Sequence, residues 1–374
     1  MAPPTVVIIG AGIIGASVAY NLAKQGATVH IIDRGEPGRG TTSTSFAWLN
    51  ANQKTPRAYF DLNLAGMAEH RALAESLRKS RWYHPDGNLC WADEAGLPDL
   101  RARVARLREW GYEAEWIDAR TANTDLEPGA AFPDPETPVA WFPDEGWIDA
   151  PALTLRLLSE ARQAGASLLT ETAVTAIDRT GGRITGVTLA SGDRVAADVV
   201  VNAAGPDVPQ IAELAGSPLP FAPVPGLLLR LGHPGNPLRR ILHTPVMNVR
   251  PDGRDYLILQ AADLDERLEG RGELRPANPL IGEILARGIA GFPALSAATL
   301  AEIRIGVRPI AVDGFPSTGR VDPTDGYVEA VTHSGATLGP LLGRLIAAEI
   351  LTGDVEPLFA PFRASRFRTE SASA

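Results

Sequence analysis

The stretch Val6-Val7-Ile8-Ile9-Gly10-Ala11-Gly12-Ile13-Ile14-Gly15 decides how the chain begins to fold. Its consecutive β-branched residues suit a strand buried on both faces, and they run directly into a glycine-rich turn. Apolar residues at Ala19, Leu22 and Ala23 continue at helical spacing to a stop at Gly26, and Thr28-Val29-His30-Ile31-Ile32 reads as a second strand ending in Asp33. Strand, turn, helix, strand and acid, in that order, make a dinucleotide-binding unit. Gly10 permits the turn, and Gly12 lets the backbone approach a pyrophosphate. Gly15 lets the helix lie close on the strand, so that its first amides face the phosphates. Ala11, Ile13 and Ile14 complete that phosphate turn. Asp33 is placed to accept hydrogen bonds from a ribose diol, with Arg34 beside it. These residues alone leave NAD and FAD both open.

The rest of the composition narrows the class. A chain of 374 residues is long enough for two packed domains sharing a cleft. A formal net charge of −9 argues against a nucleic-acid partner, because no basic patch is rich enough to neutralise a row of phosphates. Cys90 is the single cysteine, so no intramolecular disulfide and no thiolate metal cluster is expected. No basic segment precedes the apolar run at Val6 and no small-residue cleavage site follows it, so it reads as a strand and not as a signal peptide. The apolar stretch from Leu338 to Leu351 contains Arg344 and Glu349 and does not read as a membrane span. A cytoplasmic location is expected. Of the 35 basic residues the lysines are only Lys24, Lys54 and Lys79.

Further segments carry a resemblance. Gly38-Arg39-Gly40-Thr41-Thr42-Ser43-Thr44-Ser45-Phe46-Ala47-Trp48 is rich in glycine and hydroxyls and follows the acid. Ala173-Val174-Thr175 is read as the end of a short strand after a helix around Ala152 to Ala164. Val199-Val200-Val201-Asn202-Ala203-Ala204-Gly205 is an apolar strand ending in small residues. Together these resemble the D-amino-acid oxidase superfamily of FAD-dependent oxidoreductases, which includes glycine oxidase, sarcosine oxidase and D-amino-acid dehydrogenase. The resemblance implies FAD, and non-covalent binding is expected because Cys90 lies far in sequence from the C-terminal motif, a histidyl link being the alternative. Thr41, Thr42 and Ser43 would wrap the FAD phosphates, Phe46, Ala47 and Trp48 would lie along the flavin, Val174 would meet the adenine, and Ala204 and Gly205 would allow close approach. The family often continues with an aromatic residue where this chain has Pro206-Asp207.

In the C-terminal third, Glu302-Ile303-Arg304-Ile305-Gly306-Val307-Arg308-Pro309 alternates, with Arg304, Gly306 and Arg308 on one face. Gly306-Val307-Arg308-Pro309 is similar to the stretch of glycine oxidase whose arginine grips the substrate carboxylate. Arg308 is therefore the expected carboxylate anchor, a guanidinium fork being suited to a planar carboxylate. Arg304 is expected to be structural. His333-Ser334-Gly335-Ala336-Thr337-Leu338-Gly339-Pro340 resembles the last family motif, a glycine-rich turn opening a helix beside the flavin. Backbone amides of Gly335, Ala336, Thr337 and Leu338 would stabilise negative charge there, and His333 would either touch cofactor or substrate or serve as a structural histidine. Asn248 aligns with an active-site tyrosine of glycine oxidase and is a candidate substrate contact. Arg250, on the same face, is expected to be exposed at its strand end, the alternative being that it faces the cleft and favours a second acidic group on the substrate.

The resemblance implies hydride transfer from a carbon beside nitrogen to the flavin, with no dedicated base, on a small amine such as glycine, a D-amino acid or an N-methyl amino acid. Sarcosine oxidase uses a lysine near its flavin to help oxygen accept electrons. No lysine follows Lys79, so none is expected in the catalytic region, and either oxygen or another acceptor takes the electrons. Other readings are an NAD-dependent dehydrogenase, a flavin-binding subunit without independent turnover, and a biosynthetic enzyme for an unusual or carrier-bound amine. The expected fold is α/β: a Rossmann-type FAD-binding domain from 1–85, 145–215 and 306–374, and a discontinuous α+β substrate domain on a mixed sheet from 86–144 and 216–305. A homo-oligomer is compatible with all of this, and the polar tail after Phe367 is expected to fray.

Overall fold

The opening β-branched run forms the strand Thr5–Ile9, and its alternation shows what covers each face. Val6 and Ile8 pack among helices, whereas Val7 and Ile9 pack against a small sheet. The computed structural model describes residues 3–78, 81–268, 274–322 and 325–368. Lys79 and the tail from residue 369 lie outside the described residues.

Around this strand runs a six-stranded sheet in the order Ser317–Arg320, Tyr327–Val331, Val199–Asn202, Thr5–Ile9, Thr28–Ile32, Ser167–Leu169. Its neighbours are parallel except at the edge, where Ser317–Arg320 runs antiparallel. Ile9 is level with both Ile32 and Asn202. The three central strands therefore finish together and open a crevice at their carboxyl ends, where doubly wound sheets bind ligands. Helices Ile13–Lys24, Ala150–Gln163 and Gly335–Thr352 cover one face through Val18, Leu22, Leu153, Leu157, Leu342 and Ile346. The antiparallel strands Val174–Thr180, Arg183–Leu189 and Arg194–Ala196 cover the other.

A second, eight-stranded sheet is ordered Thr299–Arg308, Val224–Gly232, Tyr256–Gln260, Asn248–Pro251, Ile241–His243, Asn88–Cys90, Pro138–Phe142, Glu115–Asp118. It is mixed: Ile241–His243 runs parallel to Asn88–Cys90 and the other neighbours are antiparallel. Leu227, Leu229, Val249, Leu257 and Leu259 bury one face against Ile281 and Ile284 of helix Pro279–Gly291, with Ile303 and Ile305 packed alongside. The period of two then sends Arg304, Gly306 and Arg308 to the opposite face, towards the first unit. The fold is thus a Rossmann-type α/β unit joined to an α+β unit on a mixed sheet, each drawing strands from separated pieces of chain.

One local expectation fails. Val174 does not end a short strand; Ser167–Leu169 is that strand, and Val174 opens the next one. Between them Glu171 takes a positive φ of 53°, so the chain turns before Val174 and not after it.

Candidate active site

A cleft of about 940 Å³ starts at the crevice and runs to the seam between the two units. Its first half is built as the opening sequence predicts. Gly10 adopts φ +109°, and a Cβ on Gly15 would collide with the Gly10 carbonyl, so helix Ile13–Lys24 lies directly on the strand end. Gly12 caps that helix, and a Cβ there would come within 3.1 Å of Thr42 Oγ1. Asp33 accepts from Ala11 N at 2.6 Å through one oxygen and from Gly35 N at 2.8 Å through the other. Both hydrogen bonds hold the carboxylate at the cleft wall and leave further lone pairs for a ligand diol. Gly10, Gly12, Ile13, Ile14, Asp33, Arg34, Thr41, Thr42, Val174, Ala204 and Gly205 all line this half. Arg34 also pairs with Asp207 at 2.6 Å, which puts Pro206-Asp207 to use at the cleft wall. A glycine cradle, helix amides and an acid at the ribose position fit a dinucleotide.

The hydroxyl loop is more structural than the resemblance implies. Thr42 Oγ1 accepts from Ile13 N at 3.1 Å, and Thr41 Oγ1 donates to Val307 O at 2.7 Å, tying the loop to both units. Ser43 turns away and donates to the carbonyls of Arg39 and Gly40. Phe46, Ala47 and Trp48 pass along the seam but do not line the cleft itself. The Phe46 carbonyl accepts from Arg250 Nε at 2.5 Å, Ala47 is buried at φ 55°, and Trp48 Nε1 donates to Glu145 at 2.7 Å.

At the far end the lining includes Thr44, Ser45, Ile305, Gly306, Val307, His333, Gly335 and Ala336. A Cβ on Gly306 would collide with Thr44, so the loop rests directly on the sheet. Gly335 and Ala336 begin the helix Gly335–Thr352, and His70 Nε2 meets the Ala336 carbonyl at 2.7 Å. The next two residues serve the scaffold. Thr337 Oγ1 donates to Trp48 O at 3.2 Å, and Leu338 is fully buried in the core.

The charged groups depart most from expectation. Arg308 is neither a free anchor nor one of the residues that line the cleft, although Ile305, Gly306, Val307 and Pro309 around it are: its Nη2 donates to Asp265, whose other oxygen accepts from Leu227 N at 2.8 Å. A Cβ on Gly226 would come within 2.6 Å of that Nη2, so the guanidinium lies flat on the neighbouring strand. Arg304 is structural as expected, donating to Glu302 at 2.7 Å and to Ser43 O at 3.1 Å. Arg250 is not exposed. It is buried over the Trp147 ring at 4.6 Å and pairs with Asp252 at 3.0 Å, because the loop through Phe46 folds down on its strand. Asn248 pairs across its strands with Gln260 and His243 and keeps part of its surface open, but it does not line the cleft.

His333 opens onto the cleft, and its surroundings press its pKa down to about 4, burial first and then the charges of Lys54 and Arg308. Its ring is therefore neutral at physiological pH. No lysine comes from the C-terminal elements, but Lys54, on the loop after Trp48, is close enough for its charge to act on His333. Burial lowers the Lys54 ammonium to about 8, against the pull of Glu145, and it stands over the Tyr59 ring at 5.6 Å. The Tyr59 hydroxyl in turn meets Ser334 Oγ at 2.7 Å, next to His333.

Sequence reasoning also missed Glu145, a fully buried carboxyl that gathers Trp48 Nε1, Asn52 Nδ2, Asn88 Nδ2 and Tyr112 OH within 2.7–3.0 Å. Burial raises it to about 7 despite those donors. His243 was missed too. Its ring lies 4.1 Å from that of Trp48 and its Nδ1 meets Asn88 Oδ1 at 2.8 Å, so Trp48 is held from two sides.

No helix among the described residues is long and apolar enough to cross a membrane, and no cluster of His, Cys, Asp and Glu among them could hold a metal ion. The glycine oxidase of Geobacillus kaustophilus (strain HTA426) is 28% identical over 380 residues, covering 96% of either chain. The crystal structure of glycine oxidase from Geobacillus kaustophilus superposes with a TM-score of 0.85 at 25% identity, covering 98% of this chain and 99% of that one. That of iminodiacetate oxidase from Chelativorans sp. BNC1 gives 0.80 at 26% identity, covering 96% and 98%. The family model described as DAO, FAD dependent oxidoreductase, matches residues 5–349, so the cleft belongs to a flavoenzyme and the chain is a member of the DAO family of FAD-dependent oxidoreductases.

Proposed function

We propose that this protein oxidises the C–N bond of a small amino acid or related carboxylate-bearing amine, giving an imine that water hydrolyses. When bound, FAD supplies the acceptor for the hydride. The chain supplies position and electrostatics. The turn Gly10 to Gly15 and Asp33 hold the nucleotide end, and the amides opening helix Gly335–Thr352 face the other end with the positive pole of the helix dipole. The observation that carries the reading is the guanidinium of Arg308, held flat on Gly226 by buried Asp265 beside the lining strand Ile305–Val307. A fork fixed in this way orients a substrate carboxylate and so sets which carbon faces the flavin. Relatives named for oxidising glycine and iminodiacetate, both amines with carboxylates, support the same class.

No residue is assigned as a base. His333 stays neutral and takes no part in charge balance; it meets cofactor or substrate through the lining it provides. We read the enzyme as an oxidase, because the case for another acceptor rested on a missing lysine, and the charge of Lys54 reaches His333. FAD is read as non-covalent: Cys90 is buried within the second sheet, where it accepts from Arg103 at 3.2 Å.

Anaerobic mixing with a panel of amino acids and N-methyl amino acids tests the proposal. At least one carboxylate-bearing amine bleaches the flavin, and air restores the colour. A flavin that stays oxidised with every amine sinks it.

A further inference from the structure

Four of the arginines at the seam have carboxylate partners. Arg250 and Arg230 share Asp252, at 3.0 and 2.7 Å. Arg304 has Glu302, and Arg308 has Asp265. Lys54 has no ion-pair partner among the described residues, and the acid that acts on it from a distance, Glu145, is already met by four neutral donors.

Its loop is also held in place. Asn50 N meets Thr337 Oγ1 at 3.4 Å, Ala51 N donates to Tyr112 OH at 3.2 Å, Asn52 Nδ2 donates to Glu145 at 2.9 Å, and Lys54 N donates to Ala51 O at 3.2 Å. These contacts reach both units, so the ammonium is presented from a fixed backbone over Tyr59, whose hydroxyl meets Ser334; Lys54 does not line the cleft itself, but its charge and that of Arg308 both act on the lining residue His333. A half-buried cation with no carboxylate beside it is costly, and it is retained where an anion arrives to meet it.

We propose that Lys54 is a substrate-binding residue that balances the carboxylate of the amine. Arg308 is already neutralised by Asp265 and contributes orientation, whereas Lys54 contributes the charge. The inference rests on the proposed amine oxidation for the nature of its ligand, yet it is tested without turnover. Acetate and its neutral isostere acetamide are titrated into the FAD-loaded enzyme, and the shift of the flavin absorption band is followed.

Wild-type protein binds acetate more tightly than acetamide. In Lys54→Met the acetate dissociation constant rises about tenfold or more, the loss of one charge-assisted contact, while that of acetamide stays within about twofold. Lys54→Arg retains most of the acetate affinity. A wild-type enzyme with no preference for acetate overturns the proposal whether or not the variants fold, and so does an equal change for both ligands in Lys54→Met. Acetate binding through Lys54 in a protein whose flavin no amine bleaches keeps the inference and removes the amine oxidation; bleaching without any acetate preference does the reverse.

Discussion

Replacing Arg308 by Met tests the substrate geometry most directly, and its size can be worked out from the side chain's surroundings. Losing a charge-assisted hydrogen bond to a carboxylate costs about 1.5–3 kcal/mol, which is roughly ten- to hundredfold in binding. The variant has a second effect. Asp265 is buried and loses its counterion, keeping only the Leu227 amide, so a negative charge is left beside the substrate carboxylate. At the effective dielectric of a protein interior that repulsion adds roughly 1–2 kcal/mol, and the stranded acid also lowers stability by about 3–5 kcal/mol. Arg308→Met combined with Asp265→Asn removes the stranded charge and not the missing fork. The double variant therefore recovers stability and about tenfold of the affinity, but stays about tenfold or more weaker than wild type. The assay is anaerobic flavin bleaching against substrate concentration, alongside urea unfolding. An amine without a carboxylate serves as control and changes little. If Arg308→Met leaves the dissociation constant within about twofold of wild type, Arg308 does not touch the carboxylate.

Three further outcomes are expected. Gly226→Ala puts a methyl within 2.6 Å of Arg308 Nη2; because the tip of a flexible side chain can yield, the protein folds, but the guanidinium lifts and the substrate constant rises with little change in flavin content. Gly15→Ala collides with the Gly10 carbonyl, which is backbone and cannot yield cheaply, so the purified variant carries much less flavin per chain than wild type. His70 is fully buried, and burial lowers its pKa from 6.5 to about 4. Its contribution to stability is complete above pH 6.5 and is lost as pH falls towards 4, a window worth about 3 kcal/mol. Urea midpoints of His70→Gln then fall less steeply than wild type across that window, and parallel curves would remove His70 from the acid limb.

How much of this was open to reading in the sequence depends on the distance over which each residue finds its partners. The strand-turn-helix at Val6 to Lys24 was legible because its residues satisfy one another locally: β-branched side chains bury on both faces, and Gly15 meets Gly10 a turn away. The alternation at 302–308 was legible for the same reason, since one face needs apolar residues and the other does not. Glu145 was not legible. It stands in Asp144-Glu145-Gly146, which reads as a solvated turn, and its donors come from positions 48, 52, 88 and 112. Asp265 likewise sits in a four-residue helix of ordinary appearance. Arg250 was misread because Pro251-Asp252-Gly253 suggests an exposed strand end, and nothing nearby reveals that the Phe46 loop covers it. Lys54 carried one usable signal. In a chain that uses arginine for nearly every positive charge, a lysine between Asn50-Ala51-Asn52 and Pro56 is a departure that asks for a reason.

The same electrostatics explain why a site without a base can still oxidise an amine. An amine can give up a hydride from its carbon only when the nitrogen lone pair is free to form the imine, so the substrate ammonium must first lose its proton. His333 reports what the site does to a cation: burial, assisted by Lys54 and Arg308, holds its imidazolium down to a pKa of about 4. A substrate ammonium in the same place meets the same burial, and once its carboxylate engages Lys54 and Arg308, desolvation remains as the leading cause. The proton is then released to water as the substrate settles, and none of the chain's own groups need hold it. Rates of anaerobic bleaching at saturating substrate, measured against pH, check this. The apparent pKa of the bound amine lies below that of the same amine in water, and His333→Gln leaves it nearly unmoved because the ring is neutral throughout. A bound pKa at or above the free value, or one abolished in His333→Gln, would mean that a protein group takes the proton and that the neutral-amine mechanism is wrong.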